Sequence, residues 1–221
     1  MRTRNVEAAK FSVLPLDWRA SERLNAELMG RPSLIRGRSS ITYHPGMIAL
    51  PDGASPPMCN KSWTITAVVD VPATNANGMI VTHGGLEGGY GLYLRDGVPT
   101  FVYNFLGVER TTFAGKDKMA AGKATIIVAF KYDGGGMGKG GEITMTVNDA
   151  TVAGGRMERT IPVQFSLGEG LDIGMDIGSP IDFTYQLPFA FTGTIDHVTI
   201  DLDLGTPPSA ARKAASTAKT S

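Results

Sequence analysis

Residues 63–71 read Trp-Thr-Ile-Thr-Ala-Val-Val-Asp-Val, and their side chains alternate with period two. Trp63, Ile65, Ala67, Val69 and Val71 fall on one face, and Thr64, Thr66, Val68 and Asp70 on the other. That is the pattern of a half-buried strand. A helix would instead place its apolar residues three and four apart. Outward from this stretch, similar runs follow in quick succession: Met79–Thr82, Tyr90–Leu94, Thr100–Leu106, Ala124–Tyr132, Ile143–Val147, Ile161–Leu167 and Phe189–Leu202. No helix-length pattern separates them, so strand is the expected state throughout.

The connections agree with this reading. Asp96-Gly97 joins one run to the next, and Asn148-Asp149 does the same further on. Both pairs favour the positive φ angles that tight two-residue hairpins demand, so both predict antiparallel neighbours. The chain has 28 glycines and 13 prolines among 221 residues, which supplies turns at the density such a succession needs. Antiparallel strands with one apolar face each must pair face to face. The expected class is therefore all-β: a two-sheet antiparallel sandwich or concanavalin-like jelly roll. A domain of this length buries roughly 70% of its unfolded surface, enough to hold without metal or disulfide.

Three regions follow from composition. Residues 1–38 mix charged and apolar residues around Pro15 and predict short helices within a connector. Residues 39–204 form the sandwich, read as one domain rather than two small ones. Residues 205–221 hold no large apolar side chain to offset their ordering entropy, so a disordered tail is expected.

Lys plus Arg and Asp plus Glu are equal at 21 each. Nothing here makes the broad positive field that nucleic acid or an anionic membrane attracts, so neither is an expected partner. The longest apolar runs are far too short to cross a bilayer as helices. Beyond the basic start Met1–Asn5 no secretory apolar stretch follows, which favours a cytoplasmic over a periplasmic location. Cys59 is the single cysteine, which excludes a disulfide framework or a multi-cysteine zinc site and marks it as a small, partly buried side chain.

Several motifs bear on chemistry. Gly136, Gly138 and Gly141 have the G-x-G-x-x-G spacing of dinucleotide-binding turns, but a strand follows where a helix must present its N-terminus. A long hairpin connection is expected instead. His44, His83 and His197 lie in separate segments without metal-pair spacing, and no serine sits in a G-x-S-x-G elbow. Asp172, Asp176 and Asp182 offer oxygen ligands of the kind calcium takes, yet lack the EF-hand order and are expected on a solvated strand face. Asn60-Lys61-Ser62 is a glycosylation sequon without a secretory signal to use it. Most aromatics, with Phe101, Tyr103 and Phe105 on one strand face, are expected in the core. Tyr90, Tyr93 and Tyr132, with Asn104, are the candidates for a ligand surface on which a sugar stacks.

A long, ordered series of segments resembles the C-terminal region of large bacterial arylsulfatases of the alkaline-phosphatase-like superfamily. It runs from residues 7–17 (EAAKFSVLPLD) and 30–47 (GRPSLIRGRSSITYHPGM) through 88–113 (GGYGLYLRDGVPTFVYNFLGVERTTF). Residues 130–141 (FKYDGGGMGKGG), 161–178 (IPVQFSLGEGLDIGMDIG) and 188–202 (PFAFTGTIDHVTIDL) complete it. The resemblance implies a concanavalin-like sandwich packed on a sulfatase catalytic domain that uses formylglycine with calcium or another divalent cation. The C/S-x-P-x-R motif that yields formylglycine is missing, since Asn60, Lys61, Ser62 and Trp63 follow Cys59. The chain therefore carries no transferable catalytic, cofactor or metal residue, and alone should not hydrolyse sulfate esters.

The expected function is that of a non-catalytic accessory fragment supporting a sulfatase domain, either a truncated gene or one piece of a split protein. The alternative is a stand-alone carbohydrate-binding β-sandwich with a glycan as partner. A third reading, a glycoside hydrolase, requires two carboxylates facing each other across a groove. If residues 5–38 pack on an absent domain, Phe11, Leu14, Leu16 and Trp18 are left uncovered, which favours homo-oligomers.

Overall fold

The computed structural model describes residues 29–204, together with Val6 and Lys10. The helices expected near the N-terminus, the uncovered Phe11, Leu14, Leu16 and Trp18, and the tail at 205–221 lie outside the described residues. The chain divides into Met1–Pro32 and Ser33–Ser221, and every strand belongs to the second unit.

Eleven strands are described: β1 (Ser40–Tyr43), β2 (Trp63–Val71), β3 (Gly78–Gly85), β4 (Gly88–Arg95), β5 (Val98–Phe105), β6 (Glu109–Ala114), β7 (Gly122–Tyr132), β8 (Lys139–Val147), β9 (Ala150–Arg159), β10 (Leu171–Ile173) and β11 (Thr194–Leu202). They form a six-stranded sheet, β1-β11-β2-β7-β8-β9, and a five-stranded sheet, β10-β3-β4-β5-β6. Every ladder is antiparallel. The expected all-β, jelly-roll-like sandwich is what the chain forms.

The period-two reading of residues 63–71 matches the packing. Trp63, Ile65, Ala67, Val69 and Val71 are buried between the sheets, while Thr64, Thr66 and Val68 are half-buried and Asp70 is exposed. β7 repeats the pattern through Ala124, Ile126, Val128 and Phe130. Against these the five-stranded sheet sets Tyr90, Leu92 and Leu94 of β4 and Phe101 and Tyr103 of β5. Asp96 and Gly97 take φ of 50° and 83°, and Asn148 and Asp149 take 46° and 67°. Both pairs thus close tight two-residue hairpins.

Residues 161–167 are not a strand. Pro162 removes a ladder donor, and Ile161 and Phe165 reach the core as single anchors. Local bonds fold the rest: Gln164 Nε2 donates to Ser166 O at 2.6 Å, and Glu169 N donates to Ser166 Oγ at 3.0 Å. Residues 33–38 also contribute, since Ile35 lies in the core and Leu34 N donates to Gly53 O at 2.8 Å.

The two sheets differ in their outer faces. The six-stranded sheet carries a row of one residue per strand, Thr42, Thr199, Thr66, Ile127, Thr146 and Thr151, in register across it. The central strands of the five-stranded sheet are buried on both faces. The far side is covered by residues 174–190, where Ile181, Tyr185 and Phe189 pack on Met79, Tyr93 and Val102.

Candidate functional site

The segment over the five-stranded sheet is closed at its neck by backbone bonds. Asp176 N donates to Phe189 O at 3.3 Å, Phe189 N to Asp176 O at 3.0 Å, and Phe191 N to Gly174 O at 2.9 Å. Side chains hold the rest. Tyr93 OH donates to Asp182 Oδ2 at 2.6 Å, and the other oxygen of Asp182 accepts from Thr184 N and Thr184 Oγ1 at 2.7 and 2.6 Å. Tyr185 OH donates to Asp176 Oδ2 and accepts from Ile181 N. The Tyr185 and Phe189 rings stack at 4.3 Å, and the Tyr93 ring stands edge-on to both.

Asp172, Asp176 and Asp182 were expected to be solvated, and all three are buried. Burial is the main cause that holds the Asp176 carboxyl up at about 6, opposed by the Tyr185 bond and assisted by the nearby charges of Asp172 and Glu169. Asp172 is also raised by burial, against the bond it accepts from Ala49 N. Among the described residues no group of three His, Cys, Asp or Glu side chains could hold a metal ion.

Glu169 fastens the segment at the end of β3. Its carboxylate accepts from Ser179 Oγ at 2.6 Å and Ser179 N at 3.1 Å, while Leu86 N donates to Ser179 Oγ at 2.8 Å. This approach requires glycine at position 85, where a Cβ would stand 2.2 Å from Glu169 Oε2.

The outward part of the segment carries the one large aromatic ring that is strongly exposed among the described residues, Phe183, at 74%. Arg110 of β6 covers it, with its guanidinium carbon 4.5 Å from the ring centroid. Arg110 is held by carbonyls rather than acids: Nε donates to Ile181 O at 3.0 Å and Nη2 to Leu86 O at 3.4 Å. A guanidinium has five N–H donors, of which these bonds use two, and among the described residues no carboxylate pairs with it. Cation and ring thus meet on one surface.

The residues singled out from sequence lie elsewhere. Tyr90 is 0% exposed and clusters with Trp63 and Phe101, its ring centroid 6.2 and 6.1 Å from theirs. Tyr93 and Asn104 are buried as well. Asn104 Nδ2 donates to Gly85 O at 2.6 Å and Leu86 O at 3.1 Å, and its Oδ1 accepts from Gly107 N at 3.0 Å, so it fastens two hairpin turns together. Tyr90 faces the core between the sheets, whereas Tyr93 and Asn104 lie on the outer face, where alternation does not show that a second layer covers them. Tyr132 is half-buried, and its hydroxyl donates to Gly136 O at 2.6 Å while accepting from Lys139 N at 2.9 Å. It organises the glycine-rich β7–β8 connection. Arg110 and Phe183 were missed, and the available signal was an aromatic residue outside any alternating run, between Pro180 and Pro188.

The histidines do not form a catalytic set. His44 Nδ1 meets Asp196 O and His197 Nδ1 meets Asp196 Oδ2, both at the surface. His83 is 3% exposed, lies edge-on to Tyr90 and Phe165, and approaches Asp52 at 3.5 Å. That contact is too long and poorly aligned for a hydrogen bond, and neither ring nitrogen makes one. The sequon amide is committed internally, since Asn60 Nδ2 donates to Pro162 O at 2.6 Å and Oδ1 accepts from Gly138 N at 2.7 Å. Cys59 is half-buried against the core. No helix among the described residues is long and apolar enough to cross a membrane.

No protein-family model and no curated protein matches the chain. Solved structures do. The CBM40 carbohydrate-binding module of Ruminococcus gnavus IT-sialidase, bound to α2,3 sialyllactose, aligns over 76% of this chain and 92% of its own, with 14% identity and a TM-score of 0.52. The same module bound to α2,6 sialyllactose aligns with 14% identity over 78% and 94%, with a TM-score of 0.49. Mouse laminin α1 domains LG4-5 align at 15% identity over 75% and 39%, with a TM-score of 0.43. The match to the first of these overturns the resemblance to the C-terminal region of arylsulfatases and leaves the sulfatase domain without support as a partner. The match to the first module, at that identity, is one of fold: the chain is a two-sheet antiparallel sandwich of the shape seen in CBM40.

Proposed function

We propose that this chain is a carbohydrate-binding β-sandwich module, which binds a glycan at the surface formed by Arg110 and Phe183. The observation that carries the reading is the exposed Phe183 ring held beneath a guanidinium with unspent N–H donors. Sugars present a C–H face that packs on an aromatic ring and an equatorial rim of hydroxyls that accept from such donors. The fold supports the reading as well, since a module of this shape has been solved with sialyllactose. Because the guanidinium is already positioned by Ile181 O and Leu86 O, binding costs little ordering of Arg110.

A glycan array probed with the full chain, followed by calorimetry on the best soluble oligosaccharide, tests this. Binding in the micromolar range is expected, weakened at least tenfold by Phe183→Ala and by Arg110→Ala. A blank array, or a hit that both variants retain, sinks the reading.

A further inference from the structure

We infer that the end of the sandwich bearing the β3–β4 and β5–β6 turns docks on a zwitterionic phospholipid surface. The inference does not rest on the glycan reading, although Arg110 borders both surfaces. Its basis is a difference between the two ends of the domain. At the far end the connections are residues 72–77 (PATNAN), Asp96-Gly97, residues 115–121 (GKDKMAA) and Asn148-Asp149. Met119 is buried there, and Phe191, which the bonds between Thr192 and Asn77 bring to this end, is half-buried against the core. At the near end Leu86, Leu106, Val108, Met137, Leu167 and Leu204 are all exposed, Val108 at 76% and Leu167 at 77%.

Independent contacts place these residues at one end. Asn104 ties the Leu86 turn to the Leu106-Gly107-Val108 turn. A Cβ on Gly88 would stand 2.8 Å from Phe165 O, which brings the Leu167 turn beside them. Arg159 Nη2 bonds Glu109 Oε2 at 2.9 Å, so the end of β9 and the paired start of β8, next to Met137, join the start of β6. Leu202 pairs with Trp63, which puts Leu204 at the same end.

The form of this surface selects its partner. The apolar side chains come from several separate connections, and glycine adjoins each of them in sequence, in Gly85-Leu86, Leu106-Gly107-Val108, Gly136-Met137-Gly138, Leu167-Gly168 and Leu204-Gly205. None packs in either core cluster. A protein partner of ordinary affinity needs a continuous complementary patch of roughly 800 Å² per side. A bilayer interface accepts separate side chains that reach a common level. Charge points the same way. Among the described residues Arg110, Lys139 and Glu87 form no ion pair, which leaves cationic and acidic groups at this end for the phosphates and quaternary amines of zwitterionic headgroups. Equal numbers of cationic and acidic residues give no attraction to an anionic surface, so apolar insertion supplies the affinity.

Flotation of the full chain with phosphatidylcholine vesicles tests the inference. Val108→Asp and Leu167→Asp are suitable variants because both side chains are exposed and neither belongs to the Arg110–Phe183 surface. The wild-type chain is expected to float with the vesicles. Each variant should partition about tenfold less and the double variant should stay in the dense fraction, with Tm and soluble-glycan binding unchanged. Wild-type protein that fails to float, floats only with anionic vesicles, or floats equally well with both substitutions overturns the inference. So does a Val108-dependent dimer without vesicle binding, which would assign the surface to a second copy. Soluble-glycan binding is read without vesicles, so the two readings fail separately.

Discussion

The guanidinium of Arg110 lies 4.5 Å above the ring of Phe183, although the two residues are 73 positions apart and belong to different layers of the domain. An aromatic quadrupole beneath a cation is worth about 0.5–1 kcal/mol at an exposed site. If the ring itself stacks on a sugar, Phe183→Trp should retain or tighten glycan binding, and Phe183→Leu should weaken it about tenfold despite similar apolar area. Calorimetry on the two variants separates stacking from simple burial, and equal affinities would contradict a stacking role.

Asp176 predicts a pH dependence with a definite sign. Its folded carboxyl titrates near 6 against an ordinary value of 3.8. Protonation is therefore favoured by folding, so this contribution is complete below about pH 4 and is lost as pH rises through 6. Asp176→Asn should raise stability at pH 7.5 by about 1–2 kcal/mol and change little at pH 4. Denaturant melts at the two pH values check this, and a variant less stable at pH 7.5 would show that the ionised carboxylate is favoured.

Tyr93→Phe removes the donor to Asp182 while leaving the ring in place. A buried carboxylate oxygen then lacks its partner, at a cost of about 1–3 kcal/mol. The damage should be local. Hydrogen exchange should accelerate across residues 177–188 with β2 and β7 still protected, and uniform protection would refute it.

Asp149 sits at φ 67° in the β8–β9 hairpin, a conformation glycine adopts freely. Asp149→Gly should raise stability by about 0.5–1 kcal/mol, read as a shift in Tm of a few degrees. A fall in Tm would mean the aspartate side chain contributes more than the backbone strain removes.

What the sequence made legible follows from burial. β2 and β7 are central strands with one buried face, and their alternation is regular over nine and eleven residues. β1 and β6 went unread, and β10 was read only as a strand with a solvated face; each is an edge strand. An edge strand pairs on one side and here buries few side chains, as in Glu109–Ala114, where Phe113 alone is fully buried. β9, the fourth edge, was legible only as far as its hairpin, because glycines and charged residues make up its second half. The ligand surface was misplaced for a related reason. Tyr93 and Asn104 do point to the outer face, but coverage by residues 174–190 is a tertiary fact that no local period encodes. Arg110 and Phe183 meet only after both layers are in place.

Because the excursion over the five-stranded sheet leaves and returns through the Asp176–Phe189 backbone pair, its path length is uncoupled from the ladders beneath it. Such a closed loop can be exchanged as a cassette, since grafted sequence of another length need only restore the two junction bonds and an apolar underside. Variation at residues 177–188 is thus the route by which this scaffold would acquire new specificities while every β-strand stays in register.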